Sequence, residues 1–433
     1  MFDRRKFLKA TTIAGAGLAT LPLVACTDKP KVLKPEIQVQ KKPFAGSALE
    51  ERIHQRVMDT FPSPITIDKI EVIDSAYVKK RFFCRITDKE GNTGVSPMNK
   101  GRFRSSETIF AKLAAMNFIG KDARNIAHLP DEILKIERNY KFVSLPYWNA
   151  IGTIEIALWD LLGRIANRPA YTFLGDKKRD AYKVYISSLE REKPYEDETE
   201  RVLKTLEATG AKAVKFKIGG RMKNTEPYVK RTNDWVPYMR KKVGENVTLY
   251  VDGNSSYTAD EAIEVLKMIE SYGVEFFEEP CYWQDLWSHK LVKDAATSCK
   301  IAGGEQDFSF DQFKLMAQIG AMDTLQPDVY YHGGIVRTLK ISYLADYYGL
   351  GFTPHSPKSG PMAAAPNQVF AVCPVLSHHQ EYRVGGEETQ KDWHSPVIPK
   401  GGKLAILEKP GLGIEYDSNI WKKEKIYWTS KNS

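Results

Sequence analysis

Six ionisable residues fall in a regular order along the chain: Lys217, Asp252, Glu278, Glu305, Asp328 and His355. From Asp252 onward the intervals are 26, 27, 23 and 27 residues, and each residue closes a short run of β-forming residues. Three buried carboxylates meeting at one point cannot all stay charged and unpaired. A hard divalent cation resolves that conflict, and an all-oxygen donor set favours Mg2+. Asp252, Glu278 and Glu305 are therefore the candidate metal ligands; the alternative is that each caps the helix that follows it. The stretch AVKFKIGGRM, residues 213–222, places Lys215 two positions before Lys217, on the same face of a strand. Two ammonium groups held close together depress each other's pKa, which leaves one available as a neutral base. Lys217, nearer the strand end, is the candidate base, and Lys215 is its tuner and a carboxylate contact. Asp328, one strand before His355, would orient and charge-stabilise the imidazole as a dyad. Glu279 should point to the opposite face from Glu278 and serve as a structural ion-pair partner. Asn254, two past Asp252, is a candidate substrate contact.

These residues need a scaffold that brings strand ends together. Eight β-like runs alternate with helical stretches: KVYISS (183–188), AVKFKI (213–218), TLYVDGN (248–254), EFFEEP (275–280), KIAGGEQ (300–306), DTLQPDV (323–329), GLGFTPHS (349–356) and VFAVCPVLSHHQEY (369–382). Alternating β and α elements argue for a parallel sheet, and eight repeats in about 200 residues argue for a TIM-like α/β barrel over an open sheet. Polar residues recur at the C-terminal ends of the runs, the face on which such barrels carry their active sites. Upstream, ITIDKIEVIDSAYVKKRFFCRITDKEGNTG reads as a hairpin or meander around a KEGN turn, and residues 104–168 read as helical, most clearly NAIGTIEIALWDLLGRI. The helix TEPYVKRTNDWVPYMRKKVG carries aromatics on one face, read as core-facing.

The ordered set VKFKIG, VDGN, FFEEP, GGEQ, QPDV and TPHS resembles the mandelate racemase subgroup of the enolase superfamily, over roughly residues 64–430. IALWDLLGRIANRPAYTFLGD is similar to that family's approach to the barrel. The resemblance implies a (β/α)7β barrel (181–382) under an α+β capping domain (63–180), with the C-terminal segment (383–433) returning to the cap. It implies abstraction of a proton α to a carboxylate, with Mg2+ as cofactor stabilising the charge that develops. It also adds Glu381, in HHQEY, as a hydrogen-bond donor to the substrate carboxylate if kept protonated. His378 and His379 are structural or substrate-lining. With Lys217 and the His355–Asp328 dyad on opposite sides of the α-carbon, two outcomes are open: loss of a β-hydroxyl to give a 2-keto-3-deoxy acid, or racemisation. Asn254, Gln306, Asp307, His332, Lys358 and Arg221 make the region polar and favour an acid-sugar substrate and dehydration. Arg221 could meet a distal carboxylate or be a solvated helix-start residue. A catalytically idle binding protein is the distant alternative. NTGVSPMNKGRF (92–103) departs from the family's usual Gly-Glu or Gly-Trp-Gly pattern, in the domain where specificity loops sit.

The 433-residue chain is 42% hydrophobic and 27% charged, with a net charge of +9. Arg4, Arg5, Lys6 and Lys9 against Asp3 contribute +3 of that within the first 26 residues, leaving +6. No dense basic stripe with interleaved aromatics points to nucleic acid; a mild positive excess suits an acidic small molecule. Arg4-Arg5 followed by Phe7-Leu8-Lys9 resembles a Tat export signal, and Leu23-Val24-Ala25-Cys26 resembles a lipobox. The apolar run is too short to span a bilayer. Residues 1–26 are thus expected to be a signal with Cys26 lipidated, and 27–62 a tether ending in a short helix; export to the periplasm with a membrane lipid anchor follows. An ordinary cleaved signal is the alternative. Cys84, Cys281, Cys299 and Cys373 form no CxxC or His/Cys cluster and read as isolated buried thiols. A homo-oligomer is expected.

Overall fold

The computed structural model describes residues 44–75, 81–358, 360–386 and 397–432. The twin arginine, Cys26 and the first part of the tether lie outside the described residues. After a helix at Leu49–Thr60, strands β1 (Ile67–Ser75), β2 (Arg81–Asp88) and β3 (Thr93–Asn99) form an antiparallel meander. The KEGN turn between β2 and β3 works because Asp88 Oδ1 accepts from the Glu90 and Asn92 amides (3.0 and 2.8 Å), while Gly91 takes φ +86°. The helix Leu145–Ile165 packs beneath this sheet and is buried along nearly its whole length.

Eight parallel strands follow: β4 (Ala181–Ser187), β5 (Ala213–Lys217), β6 (Thr248–Asp252), β7 (Val274–Glu278), β8 (Lys300–Gly303), β9 (Thr324–Leu325), β10 (Gly351–Phe352) and β11 (Gln380–Arg383). They pair in the order β10-β9-β8-β7-β6-β5-β4-β11. The outer strands approach where Ser377 N donates to Phe352 O (3.0 Å) and Thr353 Oγ1 donates to Ser377 O (2.8 Å). A helix separates each successive pair, which gives the (β/α)7β barrel. Strand β12 (Lys403–Ala405) pairs with β4, and β13 (Glu424–Thr429) pairs antiparallel with β1 of the meander. Cys84, Cys281, Cys299 and Cys373 are buried and free. Among the described residues no helix is long and apolar enough to cross a membrane.

Two expectations about local structure are corrected. The run 369–382 is not one strand: Val369–Val372 end the helix Ala364–Val372, and the strand starts only at Gln380. That helix is buried on every side, so its apolar run carries no periodicity to distinguish it from a strand. The second correction is that the strands at 323–329 and 349–356 shrink to two residues each, the rest being loop that carries polar side chains.

Alternation along the strands builds the barrel interior. Tyr185, Ala213, Tyr250, Phe276 and Ala302 form an apolar floor, with the Tyr250 and Phe276 rings stacked at 4.0 Å. Two residues further along the same strands come Ser187, Lys215, Asp252 and Glu278. Outward-facing Phe216 packs instead on Trp235 of the helix Glu226–Val243 (4.9 Å). His378 and His379 precede β11 at the floor, where His379 Nδ1 lies 2.9 Å from Tyr250 Oη; they are structural.

The helix Leu145–Ile165 joins cap to barrel through two buried acids. Asp160 accepts from Val95 N (2.9 Å), Leu412 N (2.9 Å) and Arg164 Nε (2.7 Å), tying β3, the helix and the C-terminal segment together. Glu155 accepts from Ile335 N, Val336 N and Trp159 Nε1 at 2.9, 3.1 and 2.8 Å. A Cβ on Gly334 would stand 2.3 Å from Glu155 Oε2, so this contact needs glycine. Burial pushes the Glu155 carboxyl up to about 7, whereas an unfolded glutamic acid ionises near pH 4.3. Raising the pH from about 4 to about 7 therefore ionises the unfolded chain first and lowers stability, with no further loss above about 7. Glu155→Gln is expected to reduce this loss. Denaturant midpoints across that range check it, and a slope equal to that of the wild type would show that Glu155 ionises normally.

Candidate active site

Register sets the charged residues side by side. Lys217 is paired with Asp252 and Asp252 with Glu278 across β5, β6 and β7. Glu305 follows β8 by two residues. Asp252, Glu278 and Glu305 are buried, and each offers an oxygen within 4.8 Å of the others'. Lys217 Nζ bonds Asp252 Oδ2. Lys215 Nζ donates to Glu278 Oε2 (2.5 Å) and lies 3.3 Å from Glu381 Oε1. Gln326 Nε2 also donates to Glu278 Oε2 (2.8 Å), and Gln306 Nε2 to Glu305 Oε1 (2.8 Å).

Electrostatics follow from burial and these neighbours. Burial, with Asp252 and Glu305 close by, pushes the Glu278 carboxyl up to about 8, although Lys215 opposes this. Asp252 moves the other way: burial would raise it, but Lys217 and Lys215 hold it well below the carboxylate range. Burial disfavours the Lys215 ammonium, yet Glu278 and Glu381 outweigh that and hold it firmly charged. Lys215 is thus a fixed cation beside Lys217, not one of two mutually depressed amines. Glu278 Oε1 is buried without a hydrogen-bond partner. An orphaned oxygen among three convergent hard donors fits Mg2+.

Across the site His355 Nδ1 lies 2.8 Å from Asp328 Oδ2, and Nε2 lies 3.0 Å from Glu305 Oε2. Burial lowers the imidazole pKa, but Glu305 and Asp328 outweigh it and raise it. Asp328 also bonds Lys358 Nζ and accepts from Tyr330 N (2.8 Å), and these contacts hold it ionised.

A cavity of about 520 Å³ opens over this cluster. Its barrel side is lined by Lys217, Arg221, Asn254, Glu279, Glu305, Gln306, His355 and Lys358, and its cap side by Arg81, Asn99, Arg102 and Leu145. Lys217, Asn254, Arg221 and Gln306 therefore share one chamber. His332 does not join them: it is fully buried, edge-on to Phe313 at 5.1 Å. Asp307 lines a separate recess with Trp283 and Gln312.

Two acids differ from expectation. Glu279 faces the cavity and has no ion-pair partner among the described residues, because its φ of +40° breaks the pleat and turns it toward Glu305 and Asp252. Glu381 does not line the cavity. Its Oε1 accepts from Ser187 Oγ (2.7 Å) and its Oε2 from Ser356 N (2.8 Å), and although burial opposes ionisation, Lys215 and His355 hold it down at about 2. As placed here Glu381 is an acceptor that anchors Lys215, where the sequence led us to expect a protonated donor. Arg191, missed in the sequence, donates to Asn254 Oδ1 (2.8 Å) from the loop after β4; the polar-strand-end rule would have found it. No such rule reaches Arg81, Asn99 or Arg102 in the cap.

Residues 197–420 match the family described as enolase C-terminal domain-like, and residues 56–175 match the mandelate racemase/muconate lactonizing enzyme N-terminal domain. The chain belongs to the mandelate racemase subgroup of the enolase superfamily. Within this superfamily, a D-galactonate dehydratase of Cronobacter sakazakii is 30% identical over 356 residues, 78% of this chain and 88% of its own. A D-gluconate dehydratase of Thermoproteus tenax is 26% identical over 318 residues, 71% of this chain and 62% of its own. A mandelate racemase/muconate lactonizing protein from Paracoccus denitrificans, solved with magnesium, shares the enolase-type fold with a TM-score of 0.76. It is 24% identical, and the match covers 84% of this chain and 99% of that one.

Proposed function

We propose that the protein dehydrates an acid sugar to a 2-keto-3-deoxy acid. The observation that carries this reading is the placement of Lys217 and the Asp328-held His355 in one chamber beside three convergent carboxylates. Asp252, Glu278 and Glu305 would hold Mg2+, which when bound supplies Lewis-acid stabilisation of charge developing on the substrate carboxylate. Lys217, as the free amine, takes the proton from the α-carbon. The electron pair left behind forms the double bond to the β-carbon. His355, protonated and steadied by Asp328, gives its proton to the departing β-hydroxyl, which leaves as water. The enol product then becomes the 2-keto-3-deoxy acid. Lys215 stays a fixed cation beside Lys217, held by Glu278 and Glu381. The names of the relatives support elimination over racemisation, which would use the same first step. Semicarbazide assay of keto acids from a panel of aldonic and aldaric acids, with Mg2+ and with chelator, tests the reading. Solvent deuterium entering the α-position without keto acid would replace it with racemisation or epimerisation.

We also propose that the enzyme is exported and held to a membrane through a lipid on Cys26, on the strength of Arg4-Arg5 and the Leu-Val-Ala-Cys sequence. Such placement suits a substrate released by polysaccharide breakdown outside the cytoplasm. Cell fractionation with labelled palmitate should find the label in the membrane fraction and lost in Cys26→Ala. Full-length protein in the cytosolic fraction would end the proposal.

A further inference from the structure

Three guanidinium groups line the cavity with no carboxylate partner among the described residues: Arg81 is half-buried, and Arg102 and Arg221 are exposed. Arg81 and Arg102 face it from the cap, beside Asn99, and Arg221 faces it from the loop after β5. The lysines of the same chamber are matched, Lys217 by Asp252 and Lys358 by Asp328. No carboxylate among the described residues forms an ion pair with Arg81, Arg102 or Arg221.

Arg81 carries the most weight of the three. It is half-buried, and burial together with the nearby Arg383 and Arg102 lowers its pKa, while Tyr330 partly offsets them. An unpaired cation in that setting is costly, and the cost falls when an anion arrives. Arg102 lies over the Tyr331 ring, 4.5 Å from its centroid. Stacking occupies the flat face of a guanidinium and leaves its N–H edge free. The same Tyr331 centroid is 6.1 Å from that of His355, so one aromatic ring bridges the cationic roof and the reacting end.

The chemistry of the roof favours an anionic tail over a polyol. Sugar hydroxyls both donate and accept, and a site for them mixes donors with acceptors. A guanidinium only donates, in a fork that matches carboxylate or phosphate oxygens. Of the three polar cap residues only Asn99 can accept. We propose that the substrate carries a second anionic group at the end remote from its reacting carboxylate, held by Arg81 and Arg102 with Arg221 at the side. The identity of the reacting end rests on the dehydratase reading; the roof does not.

The test uses the full chain loaded with Mg2+. Within each epimeric series, kcat/KM is compared for a hexonate, the hexarate with a second carboxylate, and the hexonate 6-phosphate. At least a tenfold preference for one of the charged-ended acids, expressed mainly in KM, is expected. Which of the two wins identifies the group as carboxylate or phosphate ester. Arg102→Gln and Arg81→Gln should each reduce that ratio by tenfold or more, and Arg102→Lys, which keeps the charge but not the fork, should restore part of it. A hexonate turned over as well as both charged-ended acids, or a ratio untouched by both glutamine variants, overturns the inference. Calorimetry with adipate and hexanoate, neither of which can eliminate water, separates the two readings. Adipate preferred without any turnover sinks the dehydratase reading alone. Hexonate turnover with no adipate preference sinks this inference alone.

Discussion

His355→Asn is expected to lose keto-acid formation by about 10²–10⁴-fold, the usual range for a positioned acid, while still exchanging the substrate's α-proton with solvent. Lys217 and His355 line one chamber but bond to different carboxylates, Asp252 and Asp328. The two proton transfers are therefore separable. Without the imidazole the β-hydroxyl leaves as a poor leaving group, yet the Lys217 amine can still remove and return the α-proton. Lys217→Met should lose exchange and elimination together. Deuterium content of recovered substrate, read beside keto-acid yield, checks both variants. If His355→Asn loses exchange as severely as elimination, His355 is the α-proton base and the assignment reverses. Asp328→Asn adds a signature in pH: Asp328 raises the imidazole pKa, so without that charge the protonated form is lost at lower pH. The alkaline limb of the elimination profile then moves down.

The barrel and its charged cluster were legible because both follow from period-two alternation. Lys215 and Lys217 share a face with Ala213, and register then places Lys217, Asp252 and Glu278 in adjacent positions. The alternation needs no contact distant in sequence, and the near-equal spacing of the strand ends made the register readable. What was not legible depends on such contacts. Glu279 escaped because one left-handed residue after β7 reverses the expected facing. Glu381 escaped because its ionisation is set by Lys215, Ser187 and Ser356, which meet it only in the closed barrel. The helix Ala364–Val372 passed for a strand because complete burial erases periodicity. Arg81 and Arg102 escaped for the plainest reason: they reach the cavity from a meander and a helix of another layer, where strand-end logic has no force. Asn99 and Arg102 do belong to NTGVSPMNKGRF, the stretch that departs from the family pattern. That departure was a readable sign that substrate recognition differs there.

Glu305→Gln is expected to abolish the response to Mg2+ without weakening the metal-free protein. In the wild type, Glu305 adds to the burial and repulsion that push the Glu278 carboxyl up to about 8, a conflict that a bound cation relieves. Binding to the native state alone stabilises by about 2.7 kcal/mol at a hundredfold excess over Kd, so Mg2+ should raise the wild-type melting temperature by several degrees. A neutral amide at 305 removes one ligand and one repulsive charge at once, at the loss of the ion pair with His355 Nε2, 3.0 Å from Glu305 Oε2. It keeps an acceptor for Gln306 Nε2, now 2.8 Å from Glu305 Oε1. The metal-free variant should therefore melt no lower than the metal-free wild type, while added Mg2+ should shift it little. Loss of a Lewis acid worth several kcal/mol should lower turnover on the order of 10³-fold or more. Chelator should do the same to the wild type, reversibly on adding Mg2+. A variant that keeps the wild-type Mg2+ shift would remove Glu305 from the ligand set. A metal-free variant that melts well below the wild type would show that Glu305 supports the fold more than it strains it.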